Sequence, residues 1–280
     1  SEILERVQAE VVVGFGGYVA VPAYLAAKRL SIPIVVHEAN AKPGLANRGA
    51  ARMTQHVFTA TQAGRLPHAT VIGIPLRPAI SQLDRAALRT EALDLFGLRH
   101  DRRTLLVFGG SQGAQSINQA VSGAAGELRA GGIQVLHVIG PRNDLEVVSD
   151  PSAPYVVVGY VEHMQYAYAA ADFAVCRCGA MTCAELAAVG LPAAYVPYPV
   201  GNGEQRFNAM PTVVAGGGLL VEDADLTPAW ITREVIPLLS DDARLAAMAG
   251  AAARSGARDA DTVLARRVLQ VAAEYRRFHP

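Results

Sequence analysis

The sequence predicts an α/β protein in which parallel sheets are organised into two domains. Its strands are short apolar runs that do not alternate with polar residues, a pattern typical of strands covered on both faces. Helical segments alternate with nearly all of these runs, and such alternation favours parallel pairing. A chain of 280 residues is long for one domain and accommodates two.

The composition limits the classes of function. Hydrophobic residues make up 51% of the chain and charged residues 18%, so a large core can form. Lys plus Arg and Asp plus Glu are both 25, and this balance gives no sign of a nucleic-acid partner. We therefore expect a globular protein that does not bind nucleic acid.

The first predicted domain covers residues 1–77, and the amphipathic C-terminal helix at 259–280 is expected to join it. Its strands are expected at Val11–Val13, Ile34–Val36, His56–Thr59 and Val71–Ile74. A doubly wound domain usually has about six strands. We therefore expect this domain to be incomplete, with sequence missing before Ser1.

The second predicted domain covers residues 78–258, after the proline-punctuated link Ile74–Pro78. It begins with a helix near Ser81–Phe96, and the chain beyond Asp225 is predicted to be helical. Its six strands are expected at Leu105–Phe108, Val135–Ile139, Tyr155–Val158, Phe173–Cys176, Ala193–Val196 and Leu219–Val221. This complete βα alternation indicates one parallel sheet.

Two successive strand-to-helix turns in this domain form the predicted ligand site. The strand Phe173–Cys176 ends in a small-residue turn, and Thr182 with Glu185 forms a T-x-x-E pattern that predicts a helix start at Thr182. The second turn, Pro197–Gly203, precedes a helix that carries Gln205 in its first turn. Ligands of open α/β sheets bind at the carboxyl ends of the strands, which is where both turns fall.

Several polar residues near these turns have two interpretations. Ser111 lies in the glycine-rich turn GGSQGA, which could bind a phosphate at a helix start, or it could be a plain N-cap. Glu185 could accept hydrogen bonds from both ribose hydroxyls of a nucleotide, although its spacing alone favours a capping box. Gln205 and Asn208 could contact sugar hydroxyls or form a solvated helix face.

Other candidate residues are weaker from spacing alone. His37, Glu38 and Asn40 end a first-domain strand and would face the second domain across a cleft, but a lone His or Glu there is more often structural than catalytic. Three cysteines have a C-x-C-x4-C spacing that lacks a fourth ligand, so we expect no metal site. They are interpreted as small apolar residues in a reducing compartment.

Taken together, HEAN, GGSQGA, CRCGAMTCAE and GNGEQRFNA resemble the motifs of the bacterial MurG family of N-acetylglucosaminyltransferases. VVVGFGGYVAVPAYLAA and IPIVVHEANAKPGLANR also resemble its first domain, and YVPYPVGNGEQRFNA is similar to its actinobacterial members. The resemblance covers nearly the whole chain. Two residues depart from the family pattern: Cys178 stands where the family usually has serine, and Cys183 replaces a usually aliphatic residue. The family's first glycine-rich loop, with its histidine, would lie before Ser1.

The resemblance implies a GT-B fold, in which two Rossmann-like doubly wound domains face a cleft. It implies inverting transfer of GlcNAc from UDP-GlcNAc to undecaprenyl-pyrophosphoryl-MurNAc-pentapeptide, with no metal or other cofactor. The enzyme would act in peptidoglycan synthesis, as a cytoplasmic protein peripheral to the inner face of the cell membrane. A glycolipid-forming transferase of the same fold and a non-catalytic nucleotide-sugar-binding subunit remain alternatives.

The resemblance also implies roles for individual residues. Asn40 would contact the GlcNAc hydroxyls, while Arg77 and Ser111 would contact the pyrophosphate. Val161 would hold the uracil edge through its backbone, and Gln205 would contact the sugar. The residues expected to line the nucleotide are Ala180, Met181, Thr182, Cys183, Ala184 and Glu185, with Glu185 on the ribose. The general base is not among the residues that the resemblance assigns, and of the residues present we predict His37 or Glu38 for this role.

Overall fold

The structure is a computed structural model that describes residues 1–62 and 65–278. The chain divides into two compact units. The first combines Ser1–Arg77 with the C-terminal segment that starts at Ala257, and the second is Pro78–Gly256. Each unit contains one sheet, and every strand pair in both sheets is parallel. The α/β class with parallel sheets is confirmed.

The first unit holds a four-stranded sheet in the order β1-β2-β3-β4. These strands are β1 (Val12–Gly14), β2 (Ile34–Glu38), β3 (His56–Thr59) and β4 (Ala69–Val71). The helices of this unit are α1 (Glu2–Arg6), α2 (Ala20–Arg29), α3 (Leu45–Ala50) and the C-terminal helix (Ala260–Phe278). Because the strands follow one another in chain order, each crossover proceeds in the same direction across the sheet.

The central strand β2 explains why this sheet is covered on both faces. All five of its residues are buried. Val35 packs with Phe58, Leu264 and Val271, so the C-terminal helix covers one face. Val36 packs on the opposite face, in a cluster that includes Tyr24 of α2. This two-sided burial accounts for the unbroken apolar runs in the sequence.

The second unit holds a six-stranded sheet in the order β10-β9-β8-β5-β6-β7. The strands are β5 (Arg103–Phe108), β6 (Ile133–Val138), β7 (Tyr155–Val158), β8 (Phe173–Arg177), β9 (Ala193–Val196) and β10 (Gly218–Leu220). The chain builds outward from β5 through β6 to β7, and then returns to add β8 on the other side of β5. This is the doubly wound order of dinucleotide-binding folds, and its direction reverses between β5 and β8.

The helices of the second unit cover this sheet. They are α4 (Pro78–Ser81), α5 (Arg85–Leu95), α6 (Gln115–Gly123), α7 (Ala125–Ala130), α8 (Met164–Ala170), α9 (Ala180–Val189), α10 (Glu204–Val214), α11 (Pro228–Trp230), a π-helical turn (Ile231–Val235), α12 (Ile236–Leu239) and α13 (Asp242–Ser255). The single helix predicted near residues 81–96 is two helices. The Asp84 carboxylate caps the start of α5 by accepting hydrogen bonds from the amides of Ala86 and Ala87.

Candidate functional site

The reversal between β5 and β8 defines the candidate site. The two strands are hydrogen-bonded neighbours, with Phe108 in register with Cys176, so their carboxyl ends lie side by side. The chain leaves β5 toward α6 on one side and leaves β8 toward α9 on the other. Such a switch point leaves a crevice at the sheet edge, and ligands of open α/β sheets bind there.

The turn after β5 is held against the end of β6. Gly113 has φ +77°, and a Cβ on it would lie 2.0 Å from the carbonyl oxygen of Ile139. Asn143 Nδ2 donates to the carbonyls of Ile139 (2.9 Å) and Gln112 (3.2 Å), which joins the two segments further. Only glycine fits at this close approach.

Helix α6 follows this turn, and no side chain caps the amides of its first turn. The N-cap residue is Ala114, which has no side-chain acceptor. Ser111 is exposed within the turn and three residues before that cap, so the alternative that Ser111 is the N-cap is wrong. Unpaired amides and the positive end of the helix dipole make such a start suitable for an anion.

Helix α9 starts in the same way beside it. Its N-cap is Gly179, with extended backbone and no side-chain cap. The helix start predicted at Thr182 is therefore wrong, because Thr182 is the third residue inside the helix and cannot act as the cap of a capping box. Glu185 lies one turn further along, is 8% exposed, and accepts a 2.7 Å hydrogen bond from the Tyr168 hydroxyl. The capping box predicted for Thr182 and Glu185 is therefore wrong, and Glu185 lies in the interior of α9.

Arg177, the last residue of β8, joins the turns around the crevice. Its guanidinium donates to Ser116 Oγ on α6 (2.9 Å) and to the Pro197 carbonyl after β9 (3.0 Å). It also pairs with Asp223, which follows β10, at 2.5 Å. Ser116 donates to the same Asp223 carboxylate at 2.7 Å. One guanidinium at the end of β8 therefore contacts segments that follow three other strands, β5, β9 and β10.

The loop after β9 is attached to the same edge. Gln205, in the first turn of α10, accepts a hydrogen bond from the Tyr198 amide at 3.0 Å. Asn208 is buried, and its Nδ2 donates to the Cys178 carbonyl at 3.4 Å. These contacts hold the start of α10 against the loop after β9, through Gln205, and against the turn that precedes α9, through Asn208. Val161 follows β7, at the carboxyl edge of the same sheet.

In the first unit, Glu38 organises the loop between β2 and α3. Its carboxylate accepts hydrogen bonds from the amides of Asn40 (2.9 Å) and Gly44 (3.0 Å) and from Asn47 Nδ2 (3.0 Å). Asn47 in turn donates to the His37 carbonyl at 3.1 Å. Since both oxygens of a buried carboxylate are occupied by the protein, this geometry favours a structural role for Glu38.

His37 is fully buried beside it. Its Nε2 lies 2.8 Å from the Gly73 carbonyl oxygen, which can only accept, so Nε2 carries the proton. Its Nδ1 is buried without a hydrogen-bond partner. Burial lowers the pKa of His37, so that the imidazole is neutral at pH 7.

Comparison with known proteins decides the family. The family model described as "Glycosyltransferase family 28 C-terminal domain" matches residues 104–264, more than half of the chain. The model of the N-terminal domain of the same family matches residues 1–59. This chain belongs to glycosyltransferase family 28. The resemblance to MurG is also confirmed. The crystal structure of Acinetobacter baumannii MurG superposes on this chain with a TM-score of 0.80 at 25% sequence identity, and the superposition covers 96% of this chain and 76% of that protein.

Two curated relatives of this family-28 chain carry one name, UDP-N-acetylglucosamine--N-acetylmuramyl-(pentapeptide) pyrophosphoryl-undecaprenol N-acetylglucosamine transferase. The Mycolicibacterium smegmatis protein is 59% identical over 99% of this chain and 72% of its own length. The Streptomyces coelicolor protein is 56% identical over 99% of this chain and 77% of its own length. The GT-B fold predicted from the resemblance is confirmed by these matches and by the MurG structure.

The predicted site residues of the family-28 chain fall into two groups. The second unit brings one group to the carboxyl edge of its sheet: Ser111, Val161, Ala180, Met181, Thr182, Cys183, Ala184, Glu185 and Gln205. The other group belongs to the first unit: His37, Glu38, Asn40 and Arg77. Arg177, Ser116 and Asp223 were not predicted from the sequence as site residues. The sequence signal that could have identified Arg177 is its charge, since it ends the otherwise apolar strand β8.

The three cysteines are buried thiols close to this edge. Burial raises the pKa of Cys178 to about 12 and places the pKa values of Cys176 and Cys183 well above their usual range. Within residues 1–62 and 65–278, no group of three or more His, Cys, Asp or Glu side chains is arranged to hold a metal ion. The thiols pack as small core side chains.

Proposed function

We propose that this chain is an inverting hexosyltransferase that moves GlcNAc from UDP-GlcNAc to a lipid-linked MurNAc-pentapeptide during peptidoglycan synthesis. The names of the curated relatives support the reaction. The structural observation that carries the proposal is the pair of helix starts, α6 and α9, that lie without side-chain caps at the switch point of the family-28 C-terminal sheet.

The donor would lie along the carboxyl edge of this sheet. The turn before α6, including Ser111, suits the diphosphate because amides and the helix dipole favour negative charge there. Glu185 would accept the ribose hydroxyls, and Gln205 would contact the sugar. The backbone of Val161 would hold the uracil edge. The family resemblance adds Arg77 for the pyrophosphate and Asn40 for the GlcNAc hydroxyls.

The proposed reaction is a single displacement at the anomeric carbon. The acceptor hydroxyl oxygen forms the new bond to that carbon while the bond to the β-phosphate oxygen of UDP breaks, and the electron pair leaves with UDP. The transition state has oxocarbenium character, as in glycoside hydrolysis. Amides at a helix start would stabilise the negative charge that develops on the leaving diphosphate. The hydroxyl proton passes to a general base.

His37 and Glu38 were the residues predicted for that base. The Glu38 carboxylate accepts three hydrogen bonds from its own loop, and His37 is fully buried. A base must lie within hydrogen-bond reach of the proton that it takes. We therefore infer that both residues support the loop carrying Asn40 and do not touch the reacting atoms.

Peripheral binding to the inner face of the cell membrane is the second part of the proposal. None of the helices in the described residues is long and apolar enough to cross a membrane. Large apolar side chains are exposed around α2 and α3, at Phe15, Tyr18, Val19 and Leu45. Basic side chains are exposed on the same two helices and the loop before α3, at Lys28, Arg29, Lys42 and Arg48. This combination suits the surface of an anionic bilayer.

The membrane proposal is tested by sedimentation with vesicles. We expect the chain to bind vesicles of phosphatidylglycerol and phosphatidylcholine, and to bind less to phosphatidylcholine alone. The double substitution Tyr18→Ser and Val19→Ser should reduce binding, because it removes two of the most exposed apolar side chains. Equal binding of both proteins to the anionic vesicles would remove this surface from the proposal.

The transferase proposal is tested with radiolabelled UDP-GlcNAc and two acceptors. We expect incorporation of label into lipid-linked MurNAc-pentapeptide and none into diacylglycerol. Incorporation into diacylglycerol would favour the glycolipid-forming alternative. UDP binding by calorimetry without incorporation into either acceptor would favour the non-catalytic binding alternative.

A further inference from the structure

We propose that Tyr168 is a positioning residue that orients the Glu185 carboxylate for the ribose of the nucleotide. The inference rests on the proposed function, because it assumes that UDP binds at the switch point with its ribose on Glu185. Tyr168 itself lies on α8, outside the predicted site.

The contact between the two side chains is short and buried. The Tyr168 hydroxyl donates to Glu185 Oε2 at 2.7 Å, with Tyr168 1% exposed and Glu185 8% exposed. Hydrogen bonds from a hydroxyl to a carboxylate are stronger than those between neutral groups. A carboxylate has about four acceptor sites, and the tyrosine uses one of them. The bond thus fixes the rotation of the carboxylate, on which its contacts with a ligand hydroxyl would depend.

Tyr168 is held firmly enough to act in this way. Its ring packs on Phe108, the last residue of β5, with 6.2 Å between the ring centroids. Its backbone carbonyl accepts from Arg85 Nε at 2.9 Å. Arg85 Nη1 also donates to the carbonyl of Gly190, the C-cap residue of α9, at 3.0 Å. One buried guanidinium therefore joins the ends of the two helices whose side chains, Tyr168 and Glu185, meet.

These contacts connect both sides of the switch point. Phe108 immediately precedes the glycine-rich turn proposed for the diphosphate, and Glu185 belongs to the helix proposed for the ribose. A side chain that touches both sets the position of the carboxylate relative to that turn. Catalysis and binding by positioning are sensitive to shifts of about 1 Å.

The test measures UDP and 2′-deoxy-UDP binding by calorimetry in wild type, Tyr168→Phe, Glu185→Ala and the double variant. We expect Tyr168→Phe to weaken UDP binding about tenfold, as loss of a charge-assisted hydrogen bond does. The loss should be smaller for 2′-deoxy-UDP, which lacks one hydroxyl for Glu185 to accept. The double variant should bind UDP no more weakly than Glu185→Ala alone, because Tyr168 acts only through Glu185.

Tyr155→Phe is the matched control. Tyr155 is also buried in the second unit, and its hydroxyl makes a 2.7 Å hydrogen bond, to His137. We expect both tyrosine variants to lower the melting temperature, and only Tyr168→Phe to weaken UDP binding.

The possible failures are distinct. Wild-type protein that does not bind UDP would overturn the proposed function. UDP affinity unchanged in Glu185→Ala would remove the ribose assignment and this inference with it. If Glu185→Ala weakens binding and Tyr168→Phe does not, the positioning role alone is wrong. Unfolding of Tyr168→Phe under conditions where Tyr155→Phe stays folded would assign Tyr168 to the core and overturn the inference.

Discussion

Two alanine substitutions in one turn separate backbone strain from steric conflict. Gly113 and Gly110 both have positive φ, +77° and +85°. A Cβ on Gly113 would lie 2.0 Å from the Ile139 carbonyl oxygen and 2.7 Å from Asn143 Nδ2. A Cβ on Gly110 would have no atom within 4 Å. Alanine at either position would therefore have a strained backbone, and only alanine at Gly113 would also have a steric conflict.

The magnitudes follow from this difference. Gly110→Ala should destabilise the second unit by about 1 kcal/mol, the strain of a left-handed L-residue. Gly113→Ala should destabilise it by about 3 kcal/mol or more, since a backbone carbonyl must also move. For a unit of this size, about 2–4 °C of melting temperature corresponds to 1 kcal/mol. We thus expect a decrease of about 2–4 °C for Gly110→Ala and at least about 6 °C for Gly113→Ala.

The assay is thermal unfolding followed by circular dichroism, with wild type and both variants under identical buffer and protein concentration. A decrease in melting temperature for Gly113→Ala no larger than that for Gly110→Ala would refute the reasoning. It would show that the turn after β5 is not held against the end of β6 in the way the distances indicate.

Three further predictions concern buried groups. Burial lowers the pKa of His137 to about 4 from its ordinary 6.5, so the unfolded chain takes up this proton first as pH falls. The contribution of His137 to the free energy of unfolding should be complete above pH 6.5 and should decrease by about 3 kcal/mol as the pH falls to about 4. In urea unfolding, His137→Gln should reduce this dependence of the free energy of unfolding on pH. An unchanged dependence would contradict the prediction. Cys176, Cys178 and Cys183 should resist iodoacetamide at pH 8 in the native protein and react in urea, because burial raises their pKa values; rapid native alkylation seen by mass spectrometry would contradict their burial. Arg85→Lys should destabilise the second unit by about 2 kcal/mol, since an ammonium cannot reproduce the planar fork that binds separate carbonyls; a melting temperature equal to wild type would refute this role.

The strands could be predicted because their signal is local. Parallel strands buried on both faces are apolar at successive positions, and β2 and β8 show this directly. The proposed location of the site at the carboxyl edge also rests on a local signal, because polar and glycine-rich turns come immediately after those strands. The order of the strands in the sheet could not be predicted from their sequences. That order decides the candidate site, because the reversal of direction between β5 and β8 distinguishes the turns after these two strands from the other turns.

The errors arose where local patterns compete or where partners are distant. The T-x-x-E pattern at Thr182 and Glu185 predicted a cap, but the extended residue after β8 is Gly179, so the helix begins earlier and the pattern falls inside it. Arg177 and Ser116 are 61 positions apart, and Ser116 and Asp223 are 107 apart. No spacing rule links such residues, because only the assembled sheet brings the ends of their strands together.

The position of the donor nucleotide is tested most directly by hydrogen–deuterium exchange with and without UDP-GlcNAc. We predict slower exchange at residues 109–118 and 179–186, where α6 and α9 begin with amides that lack side-chain caps. The remainder of the second sheet should be unchanged, apart from the segments that carry Val161 and Gln205. Unchanged exchange at both helix starts under saturating UDP-GlcNAc would contradict a nucleotide site at the switch point.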